Sequence, residues 1–367
     1  MNISLKEFHR YCLAHNVTFV TYLMPGETEP ITQFVNSGAQ ITYKNLNELG
    51  CSNGFLFSPF QGENFPTIVI PNEHKFKGWQ LEIEAYPKPL AVDAPMHNIK
   101  DDDIVSPDDY SRQIEYLKEH YLHDNSKKIV LSRTKCLKGF DYKQLPEIFE
   151  LLTQEYKHAF IYLLYTPYSG IWLGATPETL VNTDNENFST MALAATKEYS
   201  ANTNDWTKKE ILEQEYVVEY LRKKLTEGGY LYNESSRSSS RAGNVMHLQT
   251  MFKGLLKNNA NEWKQLVDLL YPTPAICGTD NDESLTILRK VEKHSREYYS
   301  GIIGPFNAAG KTDLFVNLRS MKVSGCSALL YAGGGILKTS DAQKEWEETD
   351  LKFNTLLRVI EQIMGKF

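Results

Sequence analysis

Cysteine is scarce and scattered in this chain: Cys12, Cys51, Cys136, Cys277 and Cys326 are the five thiols in 367 residues, and no two stand at C-x-x-C spacing. The odd count and wide intervals exclude a disulfide framework and supply no thiolate zinc or redox motif. Free thiols in a reducing cytoplasm are expected. Long hydrophobic runs are missing too, so no stretch approaches the roughly 20 apolar residues that cross a bilayer, and no membrane partner is expected. The opening "MNISLKEFHRYCLAHNVTFV" interleaves charged and apolar residues and lacks the apolar core and cleavage site of a secretory signal. Basic clusters are also absent. The formal net charge of -7 argues against a nucleic-acid partner, because phosphate binding relies on massed Lys and Arg. The nine histidines are dispersed, and "HYLH", with His120 and His123, has no further ligand nearby and reads as a turn of surface helix. There is no internal repeat.

What the chain does have is apolar mass: 41% hydrophobic and 12% aromatic residues are ample for a real core. Residues 1–100 mix short strand-like runs such as "VTFVTYLM", "GFLFSPF" and "PTIVI" with Pro, Asn and Gly punctuation, and carry no evident chemistry. "SPDDYSRQIEYLKEHYL" then opens with Ser-Pro and acids and places Ile114, Leu117 and Tyr121 at helical spacing. From Lys128 onward strands dominate, interrupted by three helical stretches: "LPEIFELLTQEY", "DWTKKEILEQEYVVEYLRKKLTEGG" with Asp205 as N-cap and Gly228 near its stop, and "SDAQKEWEETDLKFNTLLRVIEQIM". Strands in consecutive runs predict an α+β fold, a single large domain of antiparallel β-sheets flanked by outer helices. Residues 1–100 are expected to join the same sheets as 101–367. "GYLYNESSRSSSRAGN" reads as a mobile loop.

The last helix raises a question of its own. On a helical wheel Trp346, Phe353, Leu356, Leu357, Ile360, Ile363 and Met364 form one apolar stripe, with Glu345, Thr349 and Lys352 continuing its line and Glu348 at its edge. Glu347 and Asp350 fall on the opposite side as a solvated face favoured by the helix dipole. Glu345 and Glu348 point where the core begins, and carboxylates there must be paired or bind a cation. Two readings stand: a Glu348–Lys352 salt bridge at i,i+4, or a hard cation such as Mg²⁺ held by carboxylate oxygen. The second helix offers a similar set, with Ile211, Val218, Leu221 and Leu225 on one face and Glu210 and Glu213 beside it.

Read in order, "KIVLSR", "GATPE", "LAAT", "PTPAICG", "REYYSGIIG", "LFVNLRS", "YAGGGI" and "EWEET" resemble the motifs of the chorismate-utilising enzymes, over roughly residues 100–367. Those include isochorismate synthase, salicylate synthase, and the large subunits of anthranilate and aminodeoxychorismate synthase. The resemblance implies the chorismate-binding fold and makes 101–367 the catalytic region. It implies Lys128 as general base and Glu178 as general acid; Lys127 is the rival for the base by sequence alone. A lysine base requires a lowered proton affinity and a glutamic acid a raised one. The acids of the last helix then acquire a role: by resemblance Glu213 and Glu348 hold Mg²⁺, Glu345 is an auxiliary acid behind them, and Glu210 stands in the same relation on the earlier helix. Arg319, Gly333 and Lys352 match a site for the enolpyruvyl carboxylate, and Ala195, His247, Ala275, Ile276 and Tyr299 match other substrate-binding positions.

Within that family the chain looks most like isochorismate synthase, which adds water at C2 of chorismate and expels the C4 hydroxyl. Ala275 and Ile276 form the small apolar pair of water-using members, Lys128 stands where anthranilate synthases carry glutamine, and "LAAT" lacks the lysine of the P-I-K-G-T motif. A monomer or weak oligomer without a glutamine amidotransferase subunit is implied, feeding menaquinone or siderophore synthesis. Salicylate synthase, which goes on to eliminate pyruvate, is the alternative. Anthranilate synthase component I and a non-catalytic chorismate-binding homologue are further ones. The sequence departs from the pattern at Ala195, where glycine is usual, and at Tyr271, Cys277 and Tyr299.

Overall fold

The computed structural model describes the chain except residues 37–40, 51, 63, 93–97, 101–102, 124–126, 200–205, 244 and 258–261. Cys51 and Asp205 therefore lie outside the described residues. Seven α-helices are present among those described: α1 (Leu5–Ala14), α2 (Pro107–His120), α3 (Leu145–Glu155), α4 (Lys208–Glu227), α5 (Glu262–Leu270), α6 (Asn281–Val291) and α7 (Ala342–Met364). Their starts are chemically marked. Ser106 caps α2 ahead of Pro107, Asp341 caps α7, and Thr207 caps α4 in a reciprocal box with Glu210. The cap of α4 is thus Thr207, two residues beyond the Asp205 expected, while Gly228 ends the helix as expected. Three helices were not anticipated, α1, α5 and α6, and each is only 9 to 11 residues long.

Two large antiparallel sheets make up the scaffold. The eight-stranded sheet runs His74–Lys77, Ile31–Phe34, Phe19–Leu23, Phe160–Thr166, Gly170–Thr176, Ser320–Ser324, Ser327–Ile336, Ile129–Lys138. The ten-stranded sheet runs Tyr232–Glu234, Val245–Leu255, Asn187–Glu198, Thr179–Thr183, Thr312–Val316, Ile302–Phe306, Gly54–Ser58, Thr67–Pro71, Thr42–Tyr43, with Ser238–Ala242 also on Val245–Leu255. Strands from the first hundred residues thus lie in both sheets. The serine-rich segment expected to be a mobile loop instead supplies two short strands, because the long Val245–Leu255 strand offers its backbone as a template.

Period-2 alternation sorts the central strands. Tyr162 and Leu164 face one buried cluster and Ile161 and Leu163 the other. The first cluster joins the sheets, with Tyr22 against Phe55 at 5.0 Å, Phe57 against Trp172 at 5.9 Å and Phe160 against Phe315 at 4.3 Å between ring centroids. The second lies under α1, α3 and α7, where Phe353, Leu356, Leu357, Val359 and Ile360 are buried. On α4 the buried face is Gln214, Val217, Val218, Leu221 and Leu225, whereas Ile211, assigned to it from spacing, is exposed. Among the described residues no helix is long and apolar enough to cross a membrane.

Candidate active site

The two sheets exchange strands at one seam, and the chemistry gathers there. Glu178 sits in the link from Gly170–Thr176 in one sheet to Thr179–Thr183 in the other, and Arg319 in the return link from Thr312–Val316 to Ser320–Ser324. Both are buried and both line a cavity of about 50 Å³ with Ala195, Glu213, His247, Ala275, Ile276, Tyr299, Gly333 and Lys352. That volume holds roughly three or four waters. A ring-sized ligand enters only if side chains at the wall move.

Lys128 stands one residue before the edge strand Ile129–Lys138, whose start is covered by the "PTPAICG" turn: Val130 N–H donates to the Cys277 carbonyl at 2.6 Å and Thr279 N–H to the Lys128 carbonyl at 3.0 Å. This holds the Lys128 side chain inside, 3.2 Å from Glu213 Oε1. Lys127 points the other way, to Glu283 of α6 and over the Tyr121 ring. Geometry separates the two neighbours that sequence alone left as rivals. Across the ladder Val130 pairs with Gly335, and a Cβ there would stand 2.2 Å from Glu213 Oε1 and 2.8 Å from Lys128 Cε. The glycine run therefore makes room for an ion pair.

On the far wall, the pairing of Asn187–Glu198 with Val245–Leu255 slips between Ala194 and Lys197. The bulge turns Ala195 into the left-handed region at φ 59° and aims its carbonyl at His247 Nδ1, 2.9 Å away. His247 Nε2 is 3.1 Å from an Arg319 amino group. Because a guanidinium only donates, Nε2 accepts and Nδ1–H donates to Ala195. Burial, with Arg319 adding, holds the imidazole down to about 3, so it stays neutral and orients Arg319. Arg319 itself has φ 46° and Ser300, also on the cavity, φ 62°; strained backbone concentrates at this site. Tyr299 stacks on Tyr331, and a Cβ on Gly333 would lie 3.2 Å from its hydroxyl.

Helices α4 and α7 deliver the remaining charges by packing on Asn187–Glu198 and Ser327–Ile336. Lys352 Nζ donates to Glu348 Oε1 and to the Gly333 carbonyl, both at 2.7 Å. Glu345 pairs with Lys209 near the start of α4, while its other oxygen is buried without a partner. Asp350 does not belong to a merely solvated face. It accepts from the buried Arg133 at 2.6 Å, and the Arg133 guanidinium lies over the Trp346 ring, fastening α7 to the sheet.

Environment divides these acids. Burial raises Glu178 to about 7 against the pull of Arg319, Lys128 and Lys352. Burial also acts on Glu213, but Lys128, Lys352 and Lys209 overcome it and hold the carboxyl below its ordinary value. Burial and the neighbouring Glu348 raise Glu345 despite Lys209. Glu213 beside Gly335, Glu348 linked through Lys352 to Gly333, and Glu345 with an unpartnered oxygen would offer a hard cation such as Mg²⁺ carboxylate oxygen and no soft ligand. That ion takes one or two carboxylates and completes its shell with substrate and water oxygens. Among the described residues no group of three or more His, Cys, Asp or Glu is preassembled around one point. Accepting the ion therefore means freeing Glu213 and Glu348 from their lysines.

Glu210 is the exception among the expected acids. Its carboxylate closes the capping box on the Thr207 N–H, which is local work at the helix start. Sequence reasoning also passed over Lys209, Arg296 and Glu292. Arg296 lay inside a quoted motif, but nothing in "REYY" signals that its side chain bonds the carbonyls of Val130 and Ile276.

Known proteins resemble the chain in sequence and in fold. Isochorismate synthase 2, chloroplastic, of Arabidopsis thaliana is 30% identical over 251 residues, covering 65% of this chain and 44% of that protein. Isochorismate synthase EntC of Escherichia coli (strain K12) is 30% identical over 200 residues, covering 52% of this chain and 51% of that one. The chain thus spans about half the length of these two curated relatives. The solved structure of MenF, the menaquinone-specific isochorismate synthase from Escherichia coli, superposes with a TM-score of 0.76 at 19% identity, over 98% of this chain and 94% of that one, and shares its fold. A family model described as chorismate binding enzyme matches residues 73–361, most of the chain, and the protein is therefore a member of the chorismate binding enzyme family.

Proposed function

We propose that the protein is an isochorismate synthase that converts chorismate to isochorismate with Mg²⁺, for menaquinone or siderophore synthesis. The observation that carries this reading is a buried glutamic acid raised to about 7, Glu178, on the wall of a cavity whose Glu213 is paired at 3.2 Å with a buried lysine, Lys128. An acid that holds its proton near neutrality and an amine close by are what an exchange of hydroxyls requires. Arg319, steadied by neutral His247, offers a guanidinium fork to a carboxylate, and Lys352 adds a second cation beside Gly333.

In the reaction, a water near C2 gives its proton to Lys128 as the C2–O bond forms. The ring double bonds shift, the C4–O bond breaks, and Glu178 protonates the departing hydroxyl, so one water is taken up and one released. The cycle closes when the proton on Lys128 returns through solvent to Glu178. With Glu213 engaged elsewhere, the Lys128 amine is released from its 3.2 Å counter-ion and is free to face the water. Bound Mg²⁺, held by Glu213 and Glu348 with Glu345 behind, would supply positive charge at the ring carboxylate. The small apolar walls at Ala275 and Ile276 leave space for water and offer no group to recruit ammonia.

The test is direct: purified protein with chorismate and Mg²⁺, with and without ammonium, products separated by liquid chromatography with mass detection, and an EDTA control. Isochorismate that requires Mg²⁺ is the expected result. Salicylate with pyruvate would assign the protein to salicylate synthase, anthranilate or aminodeoxychorismate appearing with ammonium would overturn water as nucleophile, and untouched chorismate would leave a binding protein.

A further inference from the structure

The strand that carries Lys128 and the turn that carries Ala275 and Ile276 meet at a junction held by a side chain that faces a different cavity. Arg296 is 5% exposed, and four of its N–H groups are committed. Nε donates to Glu292 Oε2 at 2.8 Å and one amino group to Glu292 Oε1 at 2.6 Å. The amino groups also donate to the carbonyls of Ile276 and Val130, each at 2.7 Å. Glu292 Oε1 in turn accepts from the backbone N–H and hydroxyl of Ser132, both at 2.8 Å, and His294 Nε2 lies 2.8 Å from that hydroxyl. The guanidinium rests on the Phe60 ring.

Two features say that this cluster does more than stabilise. A buried ion pair is seldom worth more than a well-packed apolar pair of the same volume, so stability alone does not account for it. Its outward bonds go to two backbone carbonyls on either side of the Val130–Cys277 hydrogen bond, two residues from Lys128 and one from Ala275. Four acceptor oxygens at fixed angles need the planar fork of arginine; the three N–H groups of an ammonium cannot meet them together.

We propose that Arg296 is a positioning residue: it fixes the strand bearing Lys128 against the Ala275–Ile276 wall, and so sets the base at working distance from the attacking water. This rests on the isochorismate synthase reading. Misplacing a reacting group by about 1 Å costs roughly 10²-fold in rate, and that is the scale expected here.

The far side of the cluster makes the test possible. Glu292, His294 and Arg296 line a solvent-open cavity of about 280 Å³, large enough to admit a guanidinium ion to the place left by Arg296→Ala. The experiment measures kcat and KM for chorismate at saturating Mg²⁺. Arg296→Ala should lower kcat roughly 10²-fold with KM changed by less than about threefold, and guanidinium at tens of millimolar should restore about tenfold. Arg296→Lys should stay impaired. Should the alanine variant fail to fold, Glu292→Leu combined with Arg296→Met replaces the pair by apolar volume and should keep the wild-type thermal midpoint while kcat stays about 10²-fold down. A double variant with wild-type stability and wild-type kcat would overturn the proposal and leave the pair structural. Wild-type protein that leaves chorismate untouched would overturn the functional reading, and the proposal with it.

Discussion

Glu178 and Glu213 stand on two walls of one cavity, and each is 5% exposed, yet their proton affinities move in opposite directions. Burial dominates at the seam between the sheets, where Glu178 is raised to about 7. On α4 the same burial is outweighed by Lys128 at 3.2 Å, with Lys352 and Lys209 adding. Residue type and depth are equal; the position of the cations decides which acid can donate a proton and which stays an anion. That division lets one small site contain a proton donor and a cation-binding carboxylate together.

The most damaging way to break the comparison is to remove its pivot. Lys128→Ala should lower turnover by roughly 10²-fold or more, and should also destabilise the fold by about 3–5 kcal/mol because Glu213 is left as a buried unpaired charge. A well-folded variant with near-normal rates would defeat the assignment. Glu178→Gln should also lower turnover roughly 10²-fold, but with the opposite effect on stability. Burial raises the folded proton affinity from 4.5 to about 7, so the contribution of the protonated acid is full below about pH 4.5 and lost as pH rises through about 7. Above that pH the glutamine variant should melt higher than wild type. A lower midpoint at pH 8 would mean that Glu178 is paired.

Smaller effects sharpen the contrast on the α7 side. Glu348→Gln should shift the magnesium titration toward higher concentration while leaving the midpoint of unfolding nearly unchanged, since Lys352 keeps the Gly333 carbonyl as partner. An unchanged titration would leave Glu348 as a salt-bridge residue only. Least of all, Ala195→Gly should stabilise by about 1 kcal/mol, because a left-handed residue with a Cβ carries a steric penalty of about that size. A loss of stability would show that the methyl is packed rather than tolerated.

Much of this site was legible because it is built from short motifs whose residue types are chemically pointed. Glu178, Arg319, His247, Glu213 and Lys352 all reach the cavity they were expected to share. The stripe on α7 was legible from period alone, and so was the Glu348–Lys352 pair at i,i+4. What failed to show in sequence depends on contacts between distant segments. Asp350 looked solvated because its partner Arg133 lies 217 residues away. Ile211 fitted the apolar face of α4 by spacing, but that face is set by where Asn187–Glu198 packs, and Ile211 stays exposed. Glu292 and Arg296 are also four apart, but Glu292 has extended backbone at the end of α6, so the helical pairing rule does not describe them. The unusual alanine at 195 was noted from sequence, whereas its reason, a bulge at φ 59°, belongs to the paired strand.

The division between donor and anion is tested most directly by the pH dependence of kcat/KM for chorismate at saturating Mg²⁺ in wild type and in Glu178→Gln. Because the acid must carry its proton, wild-type kcat/KM should fall as pH rises through about 7, and that limb should be gone from the low residual activity of the glutamine variant. The same falling limb in both proteins would contradict the account and assign the proton to another group.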